Sequence, residues 1–227
     1  GLSLGYYPNG IKKSEFNYVH GVPDGKWKFW DYKGNLSFEY TYSAGSLTGA
    51  ITSYRDGKLY YTDTLESGLS QGVFTEYYPS GKPTRTITSN ADKKHGNYDI
   101  FAPDGQLMYR LVFCEDVLFA YTYKDAAGKM LPLKPITLTM NAIQCYYPSG
   151  KMSCEIPLAN GCYHGILKTF YPDGKPMAEK GFKNDELEGS VRTYYANGTL
   201  KEVQNYYNDE NQGPYEYYHE NGKLRLS

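Results

Sequence analysis

One turn, written again and again, restricts what this chain can become. Tyr77-Tyr78-Pro79-Ser80-Gly81-Lys82 returns as Tyr6-Tyr7-Pro8-Asn9-Gly10, Tyr146-Tyr147-Pro148-Ser149-Gly150-Lys151 and Phe170-Tyr171-Pro172-Asp173-Gly174-Lys175. Looser copies run from Phe101 to Gly105, Tyr194 to Gly198 and Tyr218 to Lys223. In each copy Pro presets φ for the second position of a type I turn. Asn, Asp or Ser tolerates the third position, and Gly takes the left-handed residue that closes a bulged hairpin. The turn glycines Gly10, Gly34, Gly57, Gly81, Gly105, Gly128, Gly150, Gly174, Gly198 and Gly222 recur every 22 to 24 residues. A second set of small turn residues interleaves: Gly25, Gly49, Gly72, Gly96, Ala120, Asn141, Gly165, Gly189 and Gly213. A fixed period of this length is the signature of a repeat architecture.

Between turns lie runs of about six to eight residues, which is strand length. No window carries a helical stripe of useful length. Counted from the turn Gly, the slot four before is aromatic in most copies (Trp30, Tyr77, Phe170). The slot seven before is apolar (Trp27, Phe74, Leu167), and two after comes an aliphatic or proline (Leu36, Pro83, Pro176). Alternation then continues, as in Leu107, Tyr109, Leu111, Phe113 or Met152, Cys154, Ile156, Leu158. A period of two predicts half-buried strands. The turn pairs slot minus four with slot plus two on one face. Slots minus seven and minus four differ by an odd number, so either a bulge intervenes or both faces are partly covered.

The expected fold is all-β. It is a repetitive antiparallel β-meander of about ten hairpins with a ~24-residue period, running as a single array over residues 1–227 in one long twisted sheet. The pattern falters at 115–142, where Ala120 and Asn141 replace turn glycines and Pro132 and Pro135 fall inside an expected strand. Proline removes a ladder donor, so the sheet is expected to bend there.

Aliphatic residues are few, and 26 tyrosines supply the missing apolar area. Tyr suits a strand that is half wet, because its ring packs while its hydroxyl reaches water. A net charge of -1 gives no electrostatic case for nucleic acid or an anionic membrane. No apolar run approaches the ~20 residues of a membrane-spanning helix. The sequence opens at Gly1, partway through a repeat, which leaves room for a removed leader and a cell-envelope or secreted location.

No catalytic, cofactor or metal site is expected. His20, His95, His164 and His219 read as surface residues. Cys145 and Cys154 flank one turn, and strict alternation sets them on opposite faces, which argues against a disulfide. Cys154, Cys162 and His164 lack a fourth zinc ligand at sensible spacing. Glu15, Glu39, Glu155 and Glu179 repeat in one motif slot and read as solvated strand positions.

The candidate binding residues are Tyr7, Tyr78, Tyr147, Tyr171 and Tyr195, with Lys82, Lys151 and Lys175 beside them. All five tyrosines hold the slot just before the turn, away from the aromatic–aliphatic pairs. Two readings stay open. They form a recognition stripe, since Tyr gives contact area at low entropic cost, or they cap sheet ends where strand propensity and solubility must coexist.

Asn9 to Tyr18, then Gly21 and Asp24 to Trp30, resemble the variant MORN repeat of bacterial YwqK-like proteins, and the match recurs from Tyr171 to Tyr195. Only 115–142 departs from it. The resemblance implies a meandering antiparallel sheet and a non-catalytic, antitoxin-like role in binding another protein. A second reading is a cell-envelope module that stacks glycans or cationic head groups on exposed tyrosines. The edge strands fall near Leu2 to Tyr7 and Lys223 to Ser227, and the latter is short and charged, so a monomer or weak dimer is expected.

Overall fold

The computed structural model describes residues 1–226; Ser227, the end of the expected C-terminal edge, lies outside the described residues. Among those residues there are strands, turns and bends and no helix. The strands form two open antiparallel sheets, one of 15 strands and one of 9. The meander of hairpins is as expected, but it is not one continuous sheet. The short strand Lys134–Pro135 pairs Pro135 with Ala120 and ends the first sheet. Proline offers no N–H to a further strand, so pairing stops there. It restarts with Ala142–Tyr146 against Met152–Ala159. By contacts the chain divides into two compact units, Gly1–Gly105 with Val112–Val117, and Gln106–Leu111 with Leu118–Ser227.

The repeated turn is built as the sequence dictates. All ten turn glycines have positive φ, for example Gly81 at 83° and Gly174 at 90°. Tyr147 N donates to Lys151 O at 2.8 Å and Gly150 N donates to Tyr147 O at 2.9 Å, which closes the bulged loop. Slot minus four faces slot plus two in most repeats: Trp30 with Leu36, Tyr77 with Pro83, Tyr146 with Met152, Phe170 with Pro176; at Gly57 the loop is one residue shorter and Tyr54 faces Leu59 instead. Gly174→Val should cost about 1–3 kcal/mol, because a β-branched residue is forced into the left-handed region. A Cβ there meets Lys151 Cδ at 3.6 Å, an ordinary contact, so dihedral strain carries the cost. A change below about 0.3 kcal/mol in urea unfolding would mean that the turn does not need the left-handed residue.

The other ends of the hairpins differ from expectation. The chain reverses at two-residue loops with positive φ at both positions, such as His20-Gly21, Ala44-Gly45, Asn160-Gly161 and Asn184-Asp185. This is the turn whose twist matches paired strands. Gly25, Gly49, Gly72, Gly96, Gly165, Gly189 and Gly213 are left-handed too, but each lies four residues beyond the reversal. The ladder skips a residue in this region, between Ile87 and Ser89 and between Lys180 and Phe182. These glycines mark bulges rather than tips.

A second bulge, three residues past each turn Gly, resolves the odd spacing. In the hairpin Gly25–Trp30 with Leu36–Ser43, Phe29 pairs with Phe38 and Trp30 with Leu36, which leaves Ser37 extra. Trp27 and Phe29 therefore share one face with Phe38 and Tyr40, while Trp30 and Leu36 take the other. Both faces are used. The same bulge at Ser153 sets Cys145 directly opposite Cys154 on one face, not on opposite faces; both thiols are free and fully buried.

The densest core belongs to the C-terminal unit. Met108, Leu111, Ile143, Ile156, Cys145 and Cys154 are buried there. Segments 106–111 and 118–135 supply a second layer over the Ala142–Ala159 hairpin. Ser153 Oγ donates to Met108 O at 2.8 Å, and the Tyr123 and Tyr146 rings meet at 5.8 Å.

Candidate functional site

The tyrosines before the turns form a seam between repeats. Tyr7 Oη donates to Trp30 O at 2.8 Å and Tyr78 Oη to Phe101 O at 2.9 Å. Tyr147 bonds Phe170 O at 2.7 Å, Tyr171 bonds Tyr194 O at 2.7 Å, and Tyr195 bonds Tyr218 O at 2.6 Å. Each bond spans 23 residues, one repeat less one residue. Tyr147 is 2% exposed and the other four are half-buried.

The neighbouring lysines behave alike. Lys82 Nζ donates to Asp104 O at 2.6 Å, Lys151 Nζ to Asp173 O at 2.7 Å and Lys175 Nζ to Ala196 O at 3.1 Å. Each tyrosine and lysine is thus bonded to the repeat that follows it, Tyr7, Tyr78 and Lys82 within the N-terminal unit and Tyr147, Tyr171, Tyr195, Lys151 and Lys175 within the C-terminal unit. Their polar groups are engaged within the array, so a partner there meets ring edges and lysine stems.

At the opposite hairpin ends aspartates do the equivalent work. Asp92, Asp185 and Asp209 accept the backbone N–H of Ser70, Tyr163 and Leu187 at 2.6 to 2.7 Å. The repeats of Gly81, Gly174 and Gly198 are thus tied to the next at both ends.

Burial, with the Tyr217 hydroxyl 3.3 Å away, pushes the Tyr195 phenol up to about 12. Burial also raises Tyr171, Tyr40 and Tyr61. An acid whose pKa is raised by folding stabilises the fold fully below its unfolded value, near 10, and loses that contribution as pH climbs toward the folded value. The melting temperature should hold steady from pH 7 to 9 and fall between about pH 10 and 12. A melting temperature constant to pH 12 would mean that the phenols do not hold the repeats together.

A different surface stands out on the N-terminal unit. Paired positions run in rows across the sheet, and one face carries a continuous run of rings. Phe16 lies 4.3 Å from Trp27 and 5.2 Å from Phe29, and Phe29 lies 5.5 Å from Tyr40. Phe38 meets Tyr40 at 6.3 Å and Tyr61 at 5.8 Å, and Tyr61 meets Phe74 at 5.5 Å. The run ends with the Arg85 guanidinium 5.6 Å over Phe74 and 2.7 Å from Glu76 Oε2. Every ring in it is only half-buried.

The reverse face bears the row Glu15, Lys28, Glu39, Thr52, Thr62, Thr75, Thr86. Lys26 Nζ bonds Glu39 at 2.8 Å and, with Lys28, holds its carboxyl below the usual range. Across these strands the rings gather on one side, while this row of the other is charged and hydroxylic.

This ring face was not among the residues expected from sequence. Its signal was present in the alternation of Phe38, Tyr40 and Tyr42, which hold the slots that Cys154, Ile156 and Leu158 hold later. Among the described residues no cluster of His, Cys, Asp or Glu could hold a metal ion, and no helix is long and apolar enough to cross a membrane.

The sequence matches the family described as MORN repeat variant over residues 1–20, 23–44, 70–90, 163–184, 187–208 and 211–226, more than half of the chain. No curated protein matches it.

Proposed function

Because the chain belongs to the MORN repeat variant family, we propose that it is a non-catalytic scaffold that holds another protein against the aromatic face of its N-terminal unit. MORN repeats in general are modules that bind proteins or membranes. The observation that carries the reading is the run of half-buried rings from Phe16 to Phe74. Aromatic side chains dominate interface energetics, and contiguous apolar patches on a protein surface mark interaction sites. The tyrosine–lysine seam then serves as the frame that fixes the spacing of those rings.

In the antitoxin-like form of this reading, supported by the resemblance of Asn9 to Tyr18 to bacterial YwqK-like proteins, the partner is a toxin. Rings on a flat face also favour a second reading, a glycan stacked on Trp27 and its neighbours.

Crosslinking pull-downs with the parent and with a Trp27→Ala, Tyr40→Ala double variant separate these. A protein recovered by the parent and lost by the variant, with the variant keeping the parent's circular dichroism spectrum at the assay temperature, is the expected result. A sugar bound on a glycan array and lost in the same variant would favour the second reading. Equal recovery by parent and variant would remove the ring face from consideration.

A further inference from the structure

The second sheet carries a depression on the C-terminal unit. It measures about 280 Å³ and is floored by Val191, Thr193, Glu202 and Gln204, with Tyr206, Asn211 and Tyr215 around it. Its origin lies in the repeat. Val191, Thr193, Glu202 and Gln204 occupy the slots that Trp27, Phe29, Phe38 and Tyr40 fill with rings in the first hairpins. The pairings are equivalent: Val191 with Gln204 and Thr193 with Glu202, as Trp27 with Tyr40 and Phe29 with Phe38. Four rings have become two short side chains, an amide and a carboxylate, so the surface sinks and turns polar.

Three oxygens on the floor of the depression can accept a further hydrogen bond: Thr193 Oγ1, Gln204 Oε1 and a Glu202 carboxylate oxygen. Thr193 Oγ1 is buried with no hydrogen-bond partner among the described residues. Gln204 is 9% exposed and donates its amide N–H groups to Asn205 O and Gln212 O at 3.1 and 3.3 Å, which leaves its Oε1 pointing at no donor among the described residues. Glu202 Oε1 lies 3.2 Å from Lys201 Nζ, and Oε2 has no such neighbour among the described residues. A buried acceptor left unpaired costs about 1–3 kcal/mol, which a donor-bearing ligand would recover. No lining residue is cationic.

The chain displays on itself what fits such a place. Five repeats earlier, Arg85 sits in the slot of Glu202, Glu76 in that of Thr193 and Phe74 in that of Val191. There a guanidinium rests over a ring and beside a carboxylate, 2.7 Å away and off the N–H axis, so charge holds the pair. We propose that the depression on the C-terminal sheet receives an arginine side chain of a partner polypeptide, bound by Glu202, Gln204 Oε1 and Thr193 Oγ1 and stacked against Tyr206. A guanidinium brings five N–H donors in a plane that lies flat on a tyrosine ring. A quaternary ammonium brings none and would leave all three acceptors unpaired. A lysine ammonium could bond them but not stack.

The site is independent of the aromatic face, and its probes test it alone. Backbone-amide NMR of the whole chain titrated with N-acetyl-arginine amide should give saturable shifts at Val191, Gln204 and Tyr206, with Kd of roughly 1–10 mM. N-acetyl-lysine amide should bind at least about fivefold more weakly, and choline not at all. Glu202→Gln keeps shape and removes the charge, and should weaken arginine binding about tenfold. Thr193→Phe restores the ring of the earlier repeats and should abolish binding at an undiminished melting temperature. The proposal is overturned if arginine gives no saturable shift, if choline or lysine binds as well, or if Glu202→Gln binds like the parent. Should Thr193→Phe lower the melting temperature, the Glu202→Gln comparison decides.

Discussion

Ile156→Ala should destabilise the protein by about 3 kcal/mol, whereas Tyr40→Ala should cost only about 1 kcal/mol. The two residues hold the same slot, six past a turn Gly. Ile156 is fully buried, in the hairpin that segments 106–111 and 118–135 cover. Its removal leaves a cavity in a packed interior that cannot collapse freely. Tyr40 stands on the open face with solvent on one side, and water replaces what is removed. The measurement is hydrogen exchange at amides 143–158 for the first variant. For the second it is urea unfolding read by Trp27 and Trp30, the only two tryptophans, both in the N-terminal unit. Equal losses would mean that the ring face is covered after all.

Replacing Tyr147, Tyr171 and Tyr195 together by Phe should cost about 3 kcal/mol, since each lost hydrogen bond is worth ~1 kcal/mol and leaves a carbonyl without its donor. The rings remain, so packing is unchanged and the loss reports the seam alone. Three consecutive repeats are affected, and near-neighbour coupling makes the loss close to additive along an array. Single variants measured beside the triple would show it. A triple variant as stable as the parent would reduce these three bonds to incidental contacts.

Much of this fold could be read without coordinates because the turn chemistry is local. Pro, Asp or Asn, and Gly in fixed order dictate a bulged loop whatever surrounds them, and slot minus four met slot plus two in hairpin after hairpin. The second set of tips was harder. Left-handed His20 and Ala44 carry no side-chain signal, whereas Asn160-Gly161, Asn184-Asp185 and Asn208-Asp209 do. The bulge at Ser37 or Ser153 was also hidden, because a skipped residue does not alter composition. It misplaced Cys154 by one face. The candidate tyrosines share one motif slot, yet their hydrogen bonds depend on how neighbouring repeats stack, which no single repeat encodes. Which face stays open is a long-range fact as well. The choice between rings at 38–42 and aliphatics at 154–158 reflects it only in retrospect.

The seam has a consequence for how such a chain can lengthen. Every tyrosine in it gives its proton to a main-chain oxygen: that of Trp30, Phe101, Phe170, Tyr194 or Tyr218. Any amino acid supplies that oxygen. The joint between modules therefore places a demand on one side only, and a unit copied, deleted or exchanged by recombination finds its socket already in place. Gene duplication can extend or shorten the array without a matching change next door, and each new copy is then free to diverge on the faces that point outward.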